Sequence, residues 1–106
     1  MIAVIADDFT GAAELAGISL RYGLTVSLFT REVKDTGADV LIVSSDSRSM
    51  NHEAALKETR RLLDQLIGLN PSRIYKKTDS VMRGYVTDEL KLQLELQGLK
   101  RILYLP

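Results

Sequence analysis

Short apolar runs rich in β-branched residues alternate with longer helix-forming segments along the chain, and this alternation restricts the fold more than any other feature. The runs with strand character cover residues 2–6, 25–29, 39–44, 73–77 and 101–105. The first run is apolar at every position, as expected for a strand covered on both faces of a parallel sheet. We therefore predict an α/β fold: an open, mostly parallel sheet of about five strands with helices on both faces, a Rossmann-like three-layer sandwich.

Two of the intervening segments have clear helical periodicity. For the first helix we predict an N-cap at Thr10 and a left-handed residue at Gly23, just past the end. The second begins after Asn51 and is stopped by Gly68 and the following Asn-Pro pair. Its core stripe is predicted to contain Ala55, Thr59, Leu62, Leu63, Leu66 and Ile67.

The segment 86–99 is predicted to be a third helix, although leucines at every second position from 90 to 96 also fit a strand. Leu, Lys, Gln and Glu are all good helix formers, which favours the helix. Its apolar residues then point two ways, with Val86, Leu90 and Leu94 on one side and Leu92, Leu96 and Leu99 on the other. One side can face the sheet. The other is expected to pack on missing chain, or alternatively on a partner subunit.

Length and composition exclude several classes of protein. A chain of 106 residues forms one domain, 1–106. Lysine plus arginine and aspartate plus glutamate number 14 each, so we expect neither nucleic acid nor a membrane as a partner. The absence of cysteine excludes a disulfide framework and a thiolate metal site, and makes a cytoplasmic setting the expectation. The opening apolar run is too short for a signal peptide or a membrane span.

Polar clusters follow the first, third and fourth predicted strands. Because the carboxyl ends of parallel strands meet at one edge of the sheet, we expect the clusters to lie along a single rim. Their carboxylates can accept hydrogen bonds from sugar hydroxyls, and their cations can pair with a carboxylate or phosphate. A polyhydroxylated acid is the ligand that suits them. The candidate residues are Asp7, Asp8, Thr10, Asp46, Arg48, Lys77, Asp79, Ser80 and Arg83.

Each cluster also has a purely structural interpretation. Asp8 or Thr10 could serve only as a helix cap, and residues 44–47 could be a turn of small polar residues. Lys76 and Lys77 alternate faces along a strand, so we expect one to be solvated and only the other, Lys77, to reach the rim. The single histidine, His52, is interpreted as a surface or capping residue and is assigned no role.

The clusters resemble those of a known family. The sequence Ile-Ala-Asp-Asp-Phe-Thr-Gly-Ala at 5–12, the Asp-Ser-Arg triplet at 46–48, and Tyr-Lys-Lys-Thr-Asp-Ser at 75–80 followed by Arg-Gly at 83–84 occur in that order. They are similar to the amino-terminal domain of the four-carbon acid sugar kinases, which include the 3-oxo-tetronate kinases. The resemblance extends from Ile2 to Leu105.

This resemblance implies an ATP-dependent kinase acting on a 3-oxo-tetronate, threonate or erythronate. The amino-terminal domain of such kinases holds the sugar acid, and a carboxyl-terminal domain binds ATP with Mg²⁺. The chain would then be a truncated substrate-binding domain, without the nucleotide domain and inactive alone. All nine candidates carry over to the substrate site. We infer that Arg83 and Lys77 pair with the substrate carboxylate, Asp8 and Asp79 with hydroxyls, and that Asp8 is the candidate catalytic base.

The sequence departs from the family pattern at two places. Glu14 stands where an aspartate is usual, which keeps the charge on a longer side chain. Val81 and Met82 replace a threonine-leucine pair, which removes a hydroxyl close to the ligand. Both changes bear on which acid is preferred.

Two other functions fit part of the pattern. A phospho-receiver domain would use Asp7, Asp8, Asp46 and Thr78, but it expects a lysine closing the fifth strand, where Tyr-Leu-Pro stands at 104–106. A haloacid-dehalogenase-type phosphatase would use an aspartate nucleophile with a second acid two residues later. Phe9 occupies that place relative to Asp7, and Thr10 relative to Asp8.

Overall fold

The computed structural model describes residues 1–104 and contains four strands and three helices. The strands are β1 (Ile2–Ala6), β2 (Val26–Phe29), β3 (Val40–Ser44) and β4 (Arg73–Lys77). The helices are α1 (Phe9–Arg21), α2 (His52–Gly68) and α3 (Val86–Gln97), and a single 3₁₀ turn covers Ser47–Ser49. The α/β class predicted from the sequence is confirmed.

All strand pairs in the sheet are parallel, and the order is β2-β3-β1-β4. β1 is therefore central, with Ala6 paired to Ser44 of β3 on one side and to Lys77 of β4 on the other. The three strands end level with one another. The residues that follow Ala6, Ser44 and Lys77 consequently emerge at the same edge of the sheet.

The two faces of the sheet carry separate hydrophobic cores, because successive residues of a strand point to opposite sides. On one face Ala3, Ile5 and Val43 pack against three leucines of α2, and Leu96 of α3 joins them. On the other face Val4, Ala6 and Ile42 pack against Ala12, Leu15 and Ala16 of α1. The result is the expected three-layer arrangement, with α1 on one side and α2 with α3 on the other.

The helix boundaries agree with the sequence signals except at the start of α1. The N-cap of α1 is Asp8, whose Oδ1 accepts a hydrogen bond of 3.0 Å from Gly11 N, so the prediction of Thr10 was wrong and the alternative cap, Asp8, is the one that forms. A carboxylate directly after a strand reaches the free amides of the first turn, and Thr10 already lies within that turn. Gly23 has the left-handed φ of 78° predicted past the helix end. Asn51 caps α2 as predicted.

The segment predicted as a third helix is helical, but its buried side differs from the prediction. Val86, Glu89, Leu92 and Gln93 are buried, whereas Leu99 is 48% exposed. Leu96 packs on the core beneath α2. Leu90 and Leu99 line an open groove of about 700 Å³ beside the outer edge of β4, together with Tyr75. One residue from each predicted side, Leu90 and Leu99, therefore faces a groove that the described residues leave open.

The predicted fifth strand does not form within residues 101–104, which have no regular secondary structure, and Leu105 lies outside the described residues. The prediction was wrong for the described part of the segment. An apolar pattern identifies residues able to join a sheet, but a strand also needs a neighbour that supplies the ladder of hydrogen bonds, and residues 101–104 are not paired with β4. None of the helices among residues 1–104 has the length and apolar character required to span a bilayer.

Candidate functional site

The first part of the site is the aspartate pair at the end of β1. Asp7 is 2% exposed and lies between the 3₁₀ turn, where Arg48 N donates to its carbonyl, and Gly84 in the loop before α3. Asp8 is half-buried and points its Oδ1 at the first turn of α1. A continuous apolar strand that runs into two aspartates thus places one carboxylate inside the protein and the next at its surface.

The second part is the loop after β3, which is fastened to the end of β1. The amide and the hydroxyl of Ser45 both donate to the Ala6 carbonyl, at 2.8 and 3.1 Å. Ser45 Oγ also lies 3.0 Å from the hydroxyl of buried Ser47, and Arg48 N donates to the Asp7 carbonyl at 3.2 Å. These bonds form the turn expected from small polar residues, and they fix the backbone from which the Arg48 side chain extends.

Arg48 joins three carboxylates from two segments that are far apart in sequence. Its Nη2 lies 3.0 Å from Oδ1 of Asp7 and 3.3 Å from Oδ1 of Asp8, and its Nη1 lies 3.2 Å from Oδ1 of Asp79. Its Nε is buried with no hydrogen-bond partner among the described residues. A planar guanidinium can serve several oxygens at once, which a lysine cannot do in the same geometry. The ends of β1, β3 and β4 are therefore linked through one side chain.

The third part is the turn after β4, which is built around Asp79. Asp79 Oδ2 accepts from the amides of Val81 and Arg83, at 3.2 and 3.1 Å. The Arg83 guanidinium adds two bonds, from Nε to Oδ2 at 2.9 Å and from Nη2 to Oδ1 at 2.8 Å. Met82 has a left-handed φ of 60°, which the surrounding bonds to Asp79 hold in place. Both oxygens of Asp79 are thus engaged by the protein itself.

Lys77 lies beside the aspartate pair. A Cβ added to Gly11 would be 2.8 Å from Asp8 Oδ1 and 3.3 Å from Lys77 Cγ, so the lysine stem and the helix start are in close contact. Lys77 Nζ donates to the Thr78 carbonyl at 3.1 Å and has no carboxylate partner among residues 1–104. It therefore differs from Arg48 and Arg83, whose charges are already paired.

Three of the candidate residues are not drawn into this cluster. Thr10, Asp46 and Ser80 are exposed, and no side-chain hydrogen bond joins any of them to another described residue. Asp46 has a left-handed φ of 55° and contributes its carbonyl to Ser49 rather than its carboxylate to Arg48. Six candidates are therefore in or beside the cluster: Asp7, Asp8, Arg48, Lys77, Asp79 and Arg83.

One charged contact next to the site was missed by sequence reasoning. Lys76 was one of two lysines expected to alternate between solvent and rim, yet its side chain is only 3% exposed and its Nζ donates to Glu89 Oε1 of α3. The expectation of a solvated lysine was wrong because α3 covers that face of β4. Glu89 stands three residues after buried Val86, a spacing that places it on the same side of the helix. That spacing was the sequence signal from which the burial of Glu89 could have been predicted.

His52, to which no role was assigned, is exposed at the start of α2. Its Nε2 lies 2.7 Å from Oδ2 of Asp88 on α3, and its ring meets that of Tyr85 edge-on. These contacts join the starts of two helices.

The environments of Asp7 and Asp79 shift their pKa values in opposite directions. Burial raises the pKa of Asp7 above its ordinary value, although the hydrogen bond from Arg48 and the charge of Lys76 act against that rise. For Asp79 the hydrogen bonds from the Arg83 guanidinium, supported by the amides of Arg83 and Val81, hold the pKa well below the ordinary range. Two neighbouring carboxylates are thus suited to different tasks.

The cluster does not fit a Mg²⁺ ion. The oxygens of Asp7, Asp8 and Asp79 converge on the Arg48 guanidinium, which already supplies the compensating positive charge. Within residues 1–104 no group of three acidic, histidine or cysteine side chains is arranged to hold a metal. A metal–nucleotide complex would need ligands other than these.

Comparison with known proteins establishes the family. The model of the sugar-binding N-terminal domain matches residues 2–106, nearly the whole chain. The chain belongs to this family. A D-erythronate kinase of Heliobacterium modesticaldum is 28% identical over 102 residues, covering 92% of this chain and 23% of that protein. A D-threonate kinase of Bordetella bronchiseptica is 30% identical over 96 residues, covering 84% of this chain and 24% of that protein. The resemblance to the four-carbon acid sugar kinases is confirmed.

The chain spans about a quarter of the length of these two relatives. The phospho-receiver interpretation conflicts with the sheet, because β1 lies between β3 and β4 here, whereas receiver-type folds have the order 2-1-3-4-5. The phosphatase interpretation has no relative among the proteins described above.

Proposed function

We propose that this chain is the substrate-binding part of an ATP-dependent kinase that phosphorylates an alcohol group of a four-carbon sugar acid. The acid would be of the 3-oxo-tetronate, threonate or erythronate type. The observation that carries the proposal is the distribution of charge at the rim, where Arg48 is paired to three carboxylates and Lys77 to none. The names of the two relatives support the same class of substrate.

Lys77 is the cation best suited to the substrate carboxylate. Its ammonium has only the Thr78 carbonyl as a partner among the described residues, and its stem lies against Gly11, the residue that Asp8 caps, whereas the Arg83 guanidinium is already bidentate on Asp79. An ion pair with the ligand carboxylate would replace a hydrogen bond from the ammonium to an uncharged carbonyl. Arg83 remains 66% exposed in its side chain, so its outer edge is available as a second donor to the acid.

Asp8 is the carboxylate best suited to the sugar hydroxyls. Its Oδ1 is used by Gly11 N and Arg48, but Oδ2 has no hydrogen-bond partner among the described residues, and the side chain is 25% exposed. Asp7 is too deeply buried for this task, and the oxygens of Asp79 are occupied by Arg83 and Arg48. We assign Asp8 the acceptance of the hydroxyl proton, and Asp79 the positioning of the two arginines.

The remaining expectations extend this proposal. In phosphoryl transfer the protein mainly positions the reactants and stabilises charge, and ATP with Mg²⁺ would be held by polypeptide outside residues 1–106. The groove beside β4, with Leu90 and Leu99 in its lining, is the surface we expect to be covered by such additional chain or by a partner subunit. The cytoplasmic setting and the absence of nucleic-acid partners stay predictions.

Calorimetric titration of the 106-residue chain with D-erythronate, D-threonate and uncharged erythritol tests the proposal. We expect the acids to bind in preference to erythritol, and Lys77→Met to weaken acid binding by roughly 10-fold or more, the value of a charge-assisted bond. Lys34→Met, at an exposed lysine away from the rim, is the matched control and should bind normally. Equal binding of erythritol and the acids, or no binding by either acid, would contradict the proposal.

Catalysis by the chain alone provides a further test. We expect no phosphorylation of a tetronate when the chain is mixed with ATP and Mg²⁺, because in this proposal the nucleotide complex is held by polypeptide outside residues 1–106. Robust turnover by the purified 106-residue chain would show that this division of labour is wrong. Hydrolysis of a generic phosphate ester with Mg²⁺ would instead favour the phosphatase.

A further inference from the structure

The ion pair between Lys76 and Glu89 is buried as deeply as the hydrophobic core. The two side chains are 3% and 1% exposed, and Lys76 Nζ donates to one carboxylate oxygen while Oε2 has no partner among the described residues. Burying both charges carries a desolvation penalty, and an apolar pair of similar volume holds a helix to a sheet at least as well. Packing alone therefore does not explain these two residue types.

The pair lies just inside the rim, close to Asp7. In the β1–β4 register Lys76 is opposite Ile5, two residues before Asp7. The charges of both Lys76 and Glu89 reach the Asp7 carboxylate: Lys76 lowers its pKa, and Glu89 raises it by a smaller amount. The ion pair thus acts on Asp7 as a dipole whose positive end dominates.

The charge of Lys76 matters for Asp7 because Arg48, the arginine that is bonded to Asp7, also contacts two other carboxylates. Arg48 from the 3₁₀ turn also contacts Asp8 and Asp79, so its single charge is divided among three carboxylates. Asp7 is itself almost inaccessible to water, and burial is the largest influence on its pKa, in the direction of the neutral form. The other charged groups around it are Lys76 of β4, Glu89 of α3, and Arg83, whose own charge is coupled to Asp7.

The ionised carboxylate of Asp7 has little room to change its orientation. Its Oδ1 accepts from Arg48, and its Oδ2 faces Gly84, where an added Cβ would be only 3.3 Å away. Gly84 has a φ of 87°, which glycine adopts without strain. A neutral Asp7 would lose its ion pair with Arg48, which would weaken one of the three anchors of the guanidinium.

We propose that Lys76 is a positioning residue: its buried ammonium, which the ion pair with Glu89 fixes on the same face as Asp7, keeps the Asp7 carboxylate ionised and directed at Arg48, and so holds Arg48 in place beneath the bound acid. The effect on the ligand rests on the proposed function; the effect on Asp7 does not. Lys76 and Glu89 themselves do not contact the substrate, because both side chains lie below the surface.

The competing explanation is that the pair only fastens α3 to β4. α3 has a second polar attachment to that strand, since Gln93 Nε2 donates to the Ile74 carbonyl at 3.2 Å. A fastening role predicts that removal of either partner loosens the helix in the same way. A positioning role predicts opposite effects on Asp7 from the two removals.

The test is a titration of the Asp7 carboxyl by carbon-13 NMR in the 106-residue chain. We expect its pKa to rise in Lys76→Met, because the nearby cation is lost, and to fall in Glu89→Gln, because the nearby anion is lost. Lys91→Met, at an exposed lysine of α3, is the control and should leave Asp7 unchanged. Shifts in the same direction in both single variants, or no shift in either, would overturn the proposal.

Two additions keep the test decisive. If Lys76→Met does not fold, the titration is made on the isosteric Glu89→Gln and on the apolar double variant Lys76→Met with Glu89→Leu. The double variant should fold and should show a raised Asp7 pKa. Titration with D-erythronate across pH then links Asp7 to binding: affinity should be lost at a higher pH in the double variant than in the parent. If the parent binds no tetronate, the proposed function fails, while the NMR titration still decides the role of Lys76 and Glu89.

Discussion

Nη1 of Arg48 lies 3.2 Å from Oδ1 of Asp79, while Nη2 of the same guanidinium lies 3.0 Å from Oδ1 of Asp7. The two carboxylates follow β1 and β4, which are neighbours in the sheet but far apart in sequence, so Arg48 adds a side-chain link between the β1 end and the turn after β4. Its removal would leave two buried carboxylates without their shared cation.

Arg48→Met is therefore expected to lower the free energy of unfolding by about 3 kcal/mol, near the lower end for breaking a buried ion pair, because the Arg48 side chain is 20% exposed. Urea denaturation at pH 7 measures the change. Arg60→Met, at an exposed arginine of α2, is the control and should change stability by no more than about 0.5 kcal/mol. Equal effects of the two substitutions would show that the contacts of Arg48 do not stabilise the fold.

The lowered pKa of Asp79 predicts a loss of stability in acid. An unfolded chain protonates Asp79 near the ordinary value of 3.8, whereas the folded chain keeps it ionised to lower pH. The contribution of Asp79 is therefore fully present above that value and is lost as the pH falls towards the folded pKa.

Asp79→Asn should flatten this acid limb, because the amide does not titrate. Thermal unfolding followed between pH 2 and pH 6 measures the slope, with Asp64→Asn on the exposed side of α2 as the control. A parent and an Asp79→Asn variant with the same acid slope would contradict the role assigned to the Arg83 pair.

Alanine substitutions at Gly11 and Gly17 of α1 are expected to distinguish an effect on ligand affinity from an effect on the free energy of unfolding. A Cβ at Gly11 would meet Asp8 Oδ1 at 2.8 Å, so Gly11→Ala must displace the carboxylate from its amide and from Arg48. The cost of the weakened cap, about 1 kcal/mol, is offset by the better helix propensity of alanine, also about 1 kcal/mol. We expect little change in stability but a clear loss of sugar-acid affinity.

Gly17→Ala is the matched control, because nothing lies within 4 Å of its added Cβ. It should raise stability by about 0.5–1 kcal/mol and leave affinity unchanged. Calorimetric titration and urea denaturation of both variants give the comparison. If Gly11→Ala bound the acid as tightly as Gly17→Ala, the Asp8 carboxylate would not be part of the binding site.

The sheet and the location of the rim could be predicted because they depend on local patterns. Continuous apolar runs identified β1 and β3, and a parallel sheet necessarily brings their carboxyl ends together. Asn51 and Gly23 marked helix ends through their own backbone and side-chain preferences. Arg48 was among the candidates because it belongs to the polar cluster that follows the third predicted strand.

The sequence predictions that were wrong concern features that depend on contacts between distant parts of the chain. Lys76 is buried only because Glu89 of a distant helix neutralises it, and nothing in the strand around Lys76 indicates such a partner. Thr10 and Asp8 are both good caps, and the length of the connection after β1 selected Asp8. Residues 101–104 have a strand pattern without a paired strand.

The central claim, that segments after β1, β3 and β4 bind one small hydroxylated acid, is tested most directly by amide chemical shifts of the 106-residue chain during titration with D-erythronate. Our account predicts saturable changes concentrated at residues 7–11, 45–48 and 77–84, with Lys77 and Asp8 among the most affected. Saturable changes confined to any other surface, or a spectrum that does not respond to the acid at millimolar concentration, would contradict it.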